Sequence, residues 1–411
     1  MPSFSITSDS TITHIRQEMP ELSGRAREEG REYEKKRFAY APLERHARER
    51  AFVALVGPRG VGKSILLKQL HFASDDSFYV SLDATRPSSL FGIAKELSDR
   101  KFGLLLLDEI HAYPDYGKEL KKIYDFLPKL HVVFTSSSAV SLYDTSYDLS
   151  RRVRIVDVPP FSFREFLSFR QSREVPGIAW ADLLDLEKSK AYYGKTMEFE
   201  PLFAEYLQGK NYPFTLDQPA ASPLFLGMLN AVIEKDLVAT SKISLEDSFK
   251  VRDMLQFIGR SPVEGISYSS ISANTGVSKG TAKKFVGLLE NAYLLRRVAP
   301  KGTNVNKEPK ILLSLPYRLL YKQYEDCIGA LREDFFVDAV SRLGLELDYL
   351  KGTRGEKTPD YLVGGLVCEI GGRNKGRSQF KGFAAKRKII FTQPGTLDDI
   401  RRPLFFAGML G

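Results

Sequence analysis

The stretch AFVALVGPRGVGKSILLKQL, Ala51 to Leu70, decides the fold. An apolar run, Phe52 to Val56, enters Gly57, and Gly62-Lys63-Ser64 then open an amphipathic run at helical spacing. The order is strand, loop, helix. A phosphate-binding loop needs this order, because glycines let the backbone wrap closely around phosphates and a helix N-terminus presents unpaired N–H groups with a partial positive charge. On this reading Gly57, Pro58, Arg59, Gly60, Val61, Gly62, Lys63, Ser64 and Ile65 line ATP. Lys63 reaches the β and γ phosphates, and Ser64 holds Mg²⁺.

Outward from the loop, FGLLLLDEIHAYPDY (Phe102 to Tyr116) carries an apolar run into Asp108 and Glu109. Alone, such acids mark a strand end. With the phosphate loop upstream, Asp108 is expected to bind Mg²⁺ through water and Glu109 to orient or deprotonate the attacking water, since phosphoryl transfer depends on positioning and charge neutralisation. A third strand, HVVFTSSSAVSL, ends in hydroxyls, of which Ser137 is the candidate to touch the γ phosphate or the water. A turn capping the next helix is the other reading. Arg151 and Arg152 follow, either as arginine fingers toward a nucleotide in the same or a neighbouring subunit or as plain surface arginines.

The order GPRGVGKS, LLLLDE, TSSSA, a basic pair and then VPPFSFREFL resembles a prokaryotic branch of the AAA+ ATPases related to the origin-recognition-like archaeal ATPases. The resemblance continues through FAEYLQGKNYPF and VIEKDL. It implies an α/β P-loop ATPase core over residues 51–170, a helical lid over 171–250 and a sensor role for the polar residue after the third strand; an arginine finger acting in trans would require a homo-oligomer, a state the sequence leaves open. Where the branch has a glycine-arginine pair before the lid, this chain has Ser150-Arg151, which leaves the finger open.

At 411 residues the chain should hold two to four domains of about 100–200 residues. A hydrophobic share of 43% with 27% charged residues is that of a soluble globular protein, while residues 1–50 are a polar arm unable to form a core alone. No apolar run reaches the roughly 18–20 residues that span a bilayer, and MPSFSITSDS lacks a signal peptide's basic start and apolar core, so a cytoplasmic protein is expected. Cys327 and Cys368 are the only cysteines and the histidines are scattered, which argues against a disulfide framework and against zinc. A net charge of +9 favours polyanionic partners, though only a site turns that into a function.

Residues 251–312 show three helical segments, a strand YLLRRVAP, a basic turn KGTNVNKEPK and a strand ILLSL. This pattern resembles winged helix-turn-helix domains, whose second helix enters the DNA major groove. Lys279, Thr281, Lys283 and Lys284 would then face the duplex, and Lys301, Lys307 and Lys310 would reach phosphates from the wing. The alternative is a domain used for protein packing, with the basic residues solvated.

Residues 313–411 carry a helix with Glu333, then PDYLVGGLVCEIGGRNKG (Pro359 to Gly376), in which Asp360 and Glu369 sit on successive strands. With Glu333 they could hold one or two divalent ions. The layout looks like the PD-(D/E)xK nuclease fold, except that the lysine expected two residues after the second acid is Gly371. Lys375 or Arg373 would have to reach back from the turn. An active nuclease, an inactive nuclease-like fold and an unrelated sheet all stay open. The basic run from Arg373 to Lys388 suits nucleic acid or a solvated surface.

The combined expectation is an α/β protein with a P-loop AAA+ domain, helical lid, winged helix and C-terminal nuclease-like α/β domain. It would be a Mg-ATP-driven switch acting on DNA. An ATP-gated DNA nuclease and a signalling or scaffold ATPase controlling a protein partner are the alternatives.

Overall fold

The computed structural model describes residues 9–85, 87–137, 149, 151–238, 242–302, 308–350, 358–380 and 387–410. They divide into two compact units, Met1–Pro160 and Phe161–Gly411.

In the first unit, helices α1 (Asp9–Glu32) and α2 (Tyr40–His46) precede an alternating series. That series is β1 (Phe52–Val56), α3 (Lys63–Phe72), β2 (Ser77–Ser81), α4 (Leu90–Asp99), β3 (Leu104–Asp108), α5 (Tyr116–Phe126), β4 (His131–Ser136) and β5 (Val153–Asp157). The five strands lie in the order β2-β3-β4-β1-β5, every neighbouring pair parallel. β1 and β3 are buried along their whole length, as parallel strands with both faces covered must be, and this is why they read as continuous apolar runs. The polar arm is not solitary: α1 lies along α3, so close that a Cβ at Gly30 would meet the Lys68 carbonyl at 2.0 Å.

The second unit begins with helices α6 (Phe163–Gln171), α7 (Leu186–Thr196), α8 (Glu200–Leu207) and α9 (Ser222–Ala231). Next come α10 (Leu245–Arg260), α11 (Tyr268–Thr275), α12 (Lys279–Asn291) and an antiparallel hairpin of β6 (Leu295–Pro300) with β7 (Lys310–Leu313). Helix α13 (Tyr324–Val340) leads to β8 (Leu347–Tyr349), β9 (Tyr361–Val363), β10 (Leu366–Gly371), β11 (Lys388–Thr392) and β12 (Arg401–Pro403). The strands make one seven-stranded sheet, β12-β11-β10-β9-β8-β6-β7, because β6 also pairs in parallel with β8. The boundaries expected at residues 170, 250 and 312 fall inside α6, α10 and β7. Packing explains this: Phe163 of α6 and Phe203 of α8 share a core with Phe335 of α13 and with Phe405, the Phe203 and Phe335 rings meeting edge to face at 4.8 Å.

Helix α13 holds the second unit together through charge. It carries Glu333, Asp334 and Asp338 into the interior, where Lys310 of β7, Arg318 and Arg296 of β6 respectively meet them at 2.6 Å. The Arg318–Asp334 side chains are each 1% exposed, and Arg318 also donates to the carbonyls of Ile258, Gly259 and Ser261, fastening the end of α10. Burial pushes Asp334 up to about 6, with Arg318 pulling the other way. Breaking a buried pair by removing one member leaves an uncompensated charge, so Asp334→Ala is expected to lower the unfolding free energy by about 3–5 kcal/mol in urea titrations at pH 7. An unchanged midpoint would show that Arg318 is held by the carbonyls alone.

Candidate functional site

The phosphate loop is shaped by a close approach of backbone to backbone. A Cβ at Gly57 would lie 2.1 Å from the carbonyl oxygen of Val158, which follows β5, so no side chain fits there. Gly60 and Gly62 have φ of 79° and 92°, conformations that glycine adopts without cost, and Gly62 caps the N-terminus of α3. Lys63 is buried and donates to the Gly57 and Pro58 carbonyls at 2.7 and 2.9 Å, and Ser64 and Ile65 follow it on the first turn of α3. Arg37, just before α2, is a residue that sequence reasoning missed: its guanidinium donates to the Val61 carbonyl and, at 2.7 Å, to that of Pro159.

At the end of β3, Asp108 is buried, and each of its oxygens accepts one hydrogen bond: from Tyr79 Oη at 2.8 Å and from Thr135 Oγ1 at 2.6 Å. Thr135 also accepts from the Glu109 backbone N–H at 2.8 Å, so it, rather than Ser137, joins β4 to both acids. Ser137 lies in the bend just past β4. Burial, reinforced by the Asp108 charge, drives the Tyr79 phenol well above its ordinary value. Glu109 is held at φ 57°, ψ 54°, a left-handed conformation that costs a non-glycine residue about 1–3 kcal/mol, with its carboxylate 3.3 Å from His111 Nδ1. Arg151 is exposed, whereas Arg152 lies 3.5 Å from Asp125 and over the Tyr124 ring of α5. Ser150 is outside the described residues.

A second group of acids gathers in the second unit. Glu333, Asp360 and, unforeseen from sequence, Glu264 bring carboxylate oxygens within 4.8 Å of one another. Tyr361 Oη donates to Glu333 at 2.9 Å, and Asp360 accepts the Ile370 N–H at 2.8 Å. Burial and the Glu333 and Glu369 charges raise Asp360 well above the usual carboxylate range, and burial also raises Glu369, against the pull of Lys375. The Lys375 ammonium donates to Glu369. Gly371 makes this possible, because a Cβ there would meet the Lys375 stem at 2.5 Å. Lys375, from the turn after β10, thus occupies the space beside Glu369 that a side chain at position 371 would take.

The basic residues expected on nucleic acid separate into groups. Lys283 and Lys284 are exposed on α12, and Thr281 bonds the Ser278 cap. Lys279 is exposed but paired with Glu308, and Lys301 lies 3.4 Å from Asp348. Lys310 corrects the expectation: it is buried against Glu333, where its charge answers the acids, and does not face solvent on a wing. Burial pulls its ammonium down, but Glu333 and Asp360 outweigh that and hold it above its ordinary value. Lys307 is outside the described residues, and Arg373 is exposed.

Residues 49–167 match the family described as AAA domain, in agreement with the parallel α/β fold of a P-loop ATPase domain. Residues 212–314 match a domain of unknown function, DUF8612. An uncharacterized protein of Methanocaldococcus jannaschii is 29% identical over 341 residues, 73% of this chain and 71% of its own. Among solved structures, a Walker-type ATPase of Pyrococcus abyssi aligns at 16% identity and a TM-score of 0.40, over 67% of this chain and 93% of its own. The Thermotoga maritima RuvB Holliday junction branch migration motor aligns at 14% and 0.26, over 70% and 89%. Among the described residues no helix is long and apolar enough to cross a membrane.

Two outcomes are expected from this geometry. Gly371→Ala should push Lys375 off Glu369, and acetic anhydride labelling of Lys375 read by mass spectrometry should rise; equal labelling would mean the turn adapts without releasing it. Glu308 accepts from the Ser269 N–H and hydroxyl at 3.0 and 2.7 Å; burial works against its charge, but Lys279 and Ser269 outweigh that and hold it at about 2. A carboxylate lowered on folding stabilises above its unfolded value and loses that contribution as pH falls through the folded one. Between pH 4.5 and 2 the native chain should therefore lose more stability than Glu308→Gln, as followed by thermal unfolding.

Proposed function

We propose that the protein is an AAA+ ATPase that uses Mg-ATP as a switch on DNA. The observation that carries this reading is the loop Gly57–Ser64, whose shape leaves no room for a side chain at Gly57 and whose Gly62 opens α3 with backbone N–H groups. That packing fixes the loop from behind, and the N–H groups at the start of α3 are what suit phosphate oxygens. Lys63 and Ser64 would hold the β and γ phosphates and Mg²⁺, Asp108 would hold the ion through water, and Glu109 would orient the attacking water. Magnesium would supply charge neutralisation of the developing transition state.

The part played by DNA rests on Lys283 and Lys284 on α12, followed by the β6–β7 hairpin, an order shared with winged helices. Arg151, the exposed member of the pair, would be the one to act in trans in a homo-oligomer. A second reading, an ATP-gated nuclease, is favoured by one feature, the Lys375 ammonium seated on Glu369 beside Asp360 and Glu333. There Asp360, Glu369 and Glu333 would hold the ions and Lys375 would orient water.

Nucleotide titration and phosphate release on three proteins test the main reading. Lys63→Ala is expected to lose nucleotide binding, and Glu109→Gln to bind ATP but turn over about 10²-fold or more slowly, the scale for loss of a general base. Undiminished affinity in Lys63→Ala would overturn the site. DNA affinity should fall steeply with salt, and less steeply in Lys283→Ala/Lys284→Ala; metal-dependent nicking lost in Asp360→Ala would shift the reading to the nuclease.

A further inference from the structure

Strand β2 runs parallel to β3, with Ser81 level with Asp108 and Tyr79 two residues earlier on the same face of the strand. Tyr79 is 6% exposed; its ring stacks on that of His71, the centroids 6.3 Å apart and the planes at 24°, and Lys68 Nζ sits 5.9 Å from its centre. The Tyr79 backbone N–H donates to Ser23 Oγ at 3.1 Å. Ser23 belongs to α1 and also meets His71 of α3, so both helices hold the tyrosine in place. A phenylalanine would bury the same ring. What the tyrosine adds is a hydroxyl, which needs a partner when buried, and that partner is Asp108 Oδ2 at 2.8 Å.

The other oxygen, Oδ1, receives the Thr135 hydroxyl at 2.6 Å. Thr135 Oγ1 already accepts the Glu109 N–H, so its single proton is committed to Asp108. With one donor on each oxygen, the carboxylate plane cannot turn without breaking a charge-assisted hydrogen bond. An ionised carboxylate offers about four acceptor positions, so about two stay open for the water shell of a cation. Magnesium keeps several waters and demands near-octahedral directions, which a fixed plane serves and a turning one does not. We propose that Tyr79 is a positioning residue for magnesium, acting through Asp108 by holding its carboxylate in the orientation that receives the ion's water shell. The inference rests on the Mg-ATP reading of the loop and adds to it a residue from β2. It also gives α1 a part in the site, since Ser23 holds the backbone from which the hydroxyl extends.

Two titrations of the full chain with a fluorescent, non-hydrolysable ATP analogue test it, one with excess EDTA and one with MgCl₂. The ratio of the two affinities reads the contribution of the ion without any turnover. In Tyr79→Phe the affinity in EDTA is expected to stay as in the native chain, while the tightening by Mg²⁺ falls by about 10–100-fold, the scale for losing a partner that orients a metal-binding group. In an Asp108→Asn background the same substitution should change nothing further, because the residue through which it acts is gone. Circular dichroism establishes folding, and if Tyr79→Phe does not fold, Tyr79→Met, whose unbranched side chain adapts to the site, takes its place. Full Mg²⁺ tightening in the variant overturns the inference, and so does an equal loss in both titrations, which would mark Tyr79 as structural only. A further loss in the Asp108→Asn background overturns the route through Asp108. A native chain that binds no nucleotide, or binds it equally with and without Mg²⁺, would remove the underlying reading and this inference with it.

Discussion

A charge carried into a dry interior must be met by an opposite charge, and in the second unit a single helix imposes that demand three times. Residues Glu333, Asp334 and Asp338 of α13 are answered by Lys310, Arg318 and Arg296, each from a different position in the chain. Loss of any one partner would leave a buried charge unanswered, so α13 is tied to these three positions as well as to its apolar core. The hairpin, the end of α10 and the C-terminal strands are thus registered against one helix. The acid group follows from the same arrangement, since Glu333 points where Asp360 and Glu264 converge.

The first unit solves a different problem with different means. Its nucleotide loop is fixed through backbone rather than through ion pairs: the Val158 carbonyl packs against Gly57 and Arg37 donates to the Val61 and Pro159 carbonyls, while Thr135 bridges Asp108 to the Glu109 backbone. The loop is therefore held from two sides, by the segment after β5 and by the segment before α2. Cooperation of this kind keeps N–H groups oriented before any anion arrives, which is where electrostatic preorganisation has its effect.

Much of this was legible in the chain, and the reasons are local. Strand, loop and helix around Gly57 follow one another without interruption, so periodicity and spacing located them, as they located α11, α12 and the hairpin. Asp360, Glu369 and Lys375 also lie within one short stretch. Glu264 could not be read, because its partners lie far downstream and only tertiary packing brings the turn Val263–Gly265 to α13. Lys310 read as a surface lysine because a basic turn precedes it, and no local pattern distinguishes a lysine that snorkels to water from one buried on an acid. Arg37 looked like one more charge in a polar arm. Its contact is to backbone carbonyls, which leave no mark in sequence.

The parallel pairing of β6 with β8 has a consequence for how the helical and C-terminal parts can exist apart. β6 is an interior strand, flanked by β7 on one side and β8 on the other. Severing the chain after β7 would uncover only the end of β6 that β8 takes up, Ala299 and Pro300, of which Pro300 has no N–H to offer another strand. The larger loss would be that of α13, without which Lys310 and Arg296 of the hairpin would keep their charges but not the acids that meet them. A hairpin borrowed by another protein would need a new acidic partner more than a new strand.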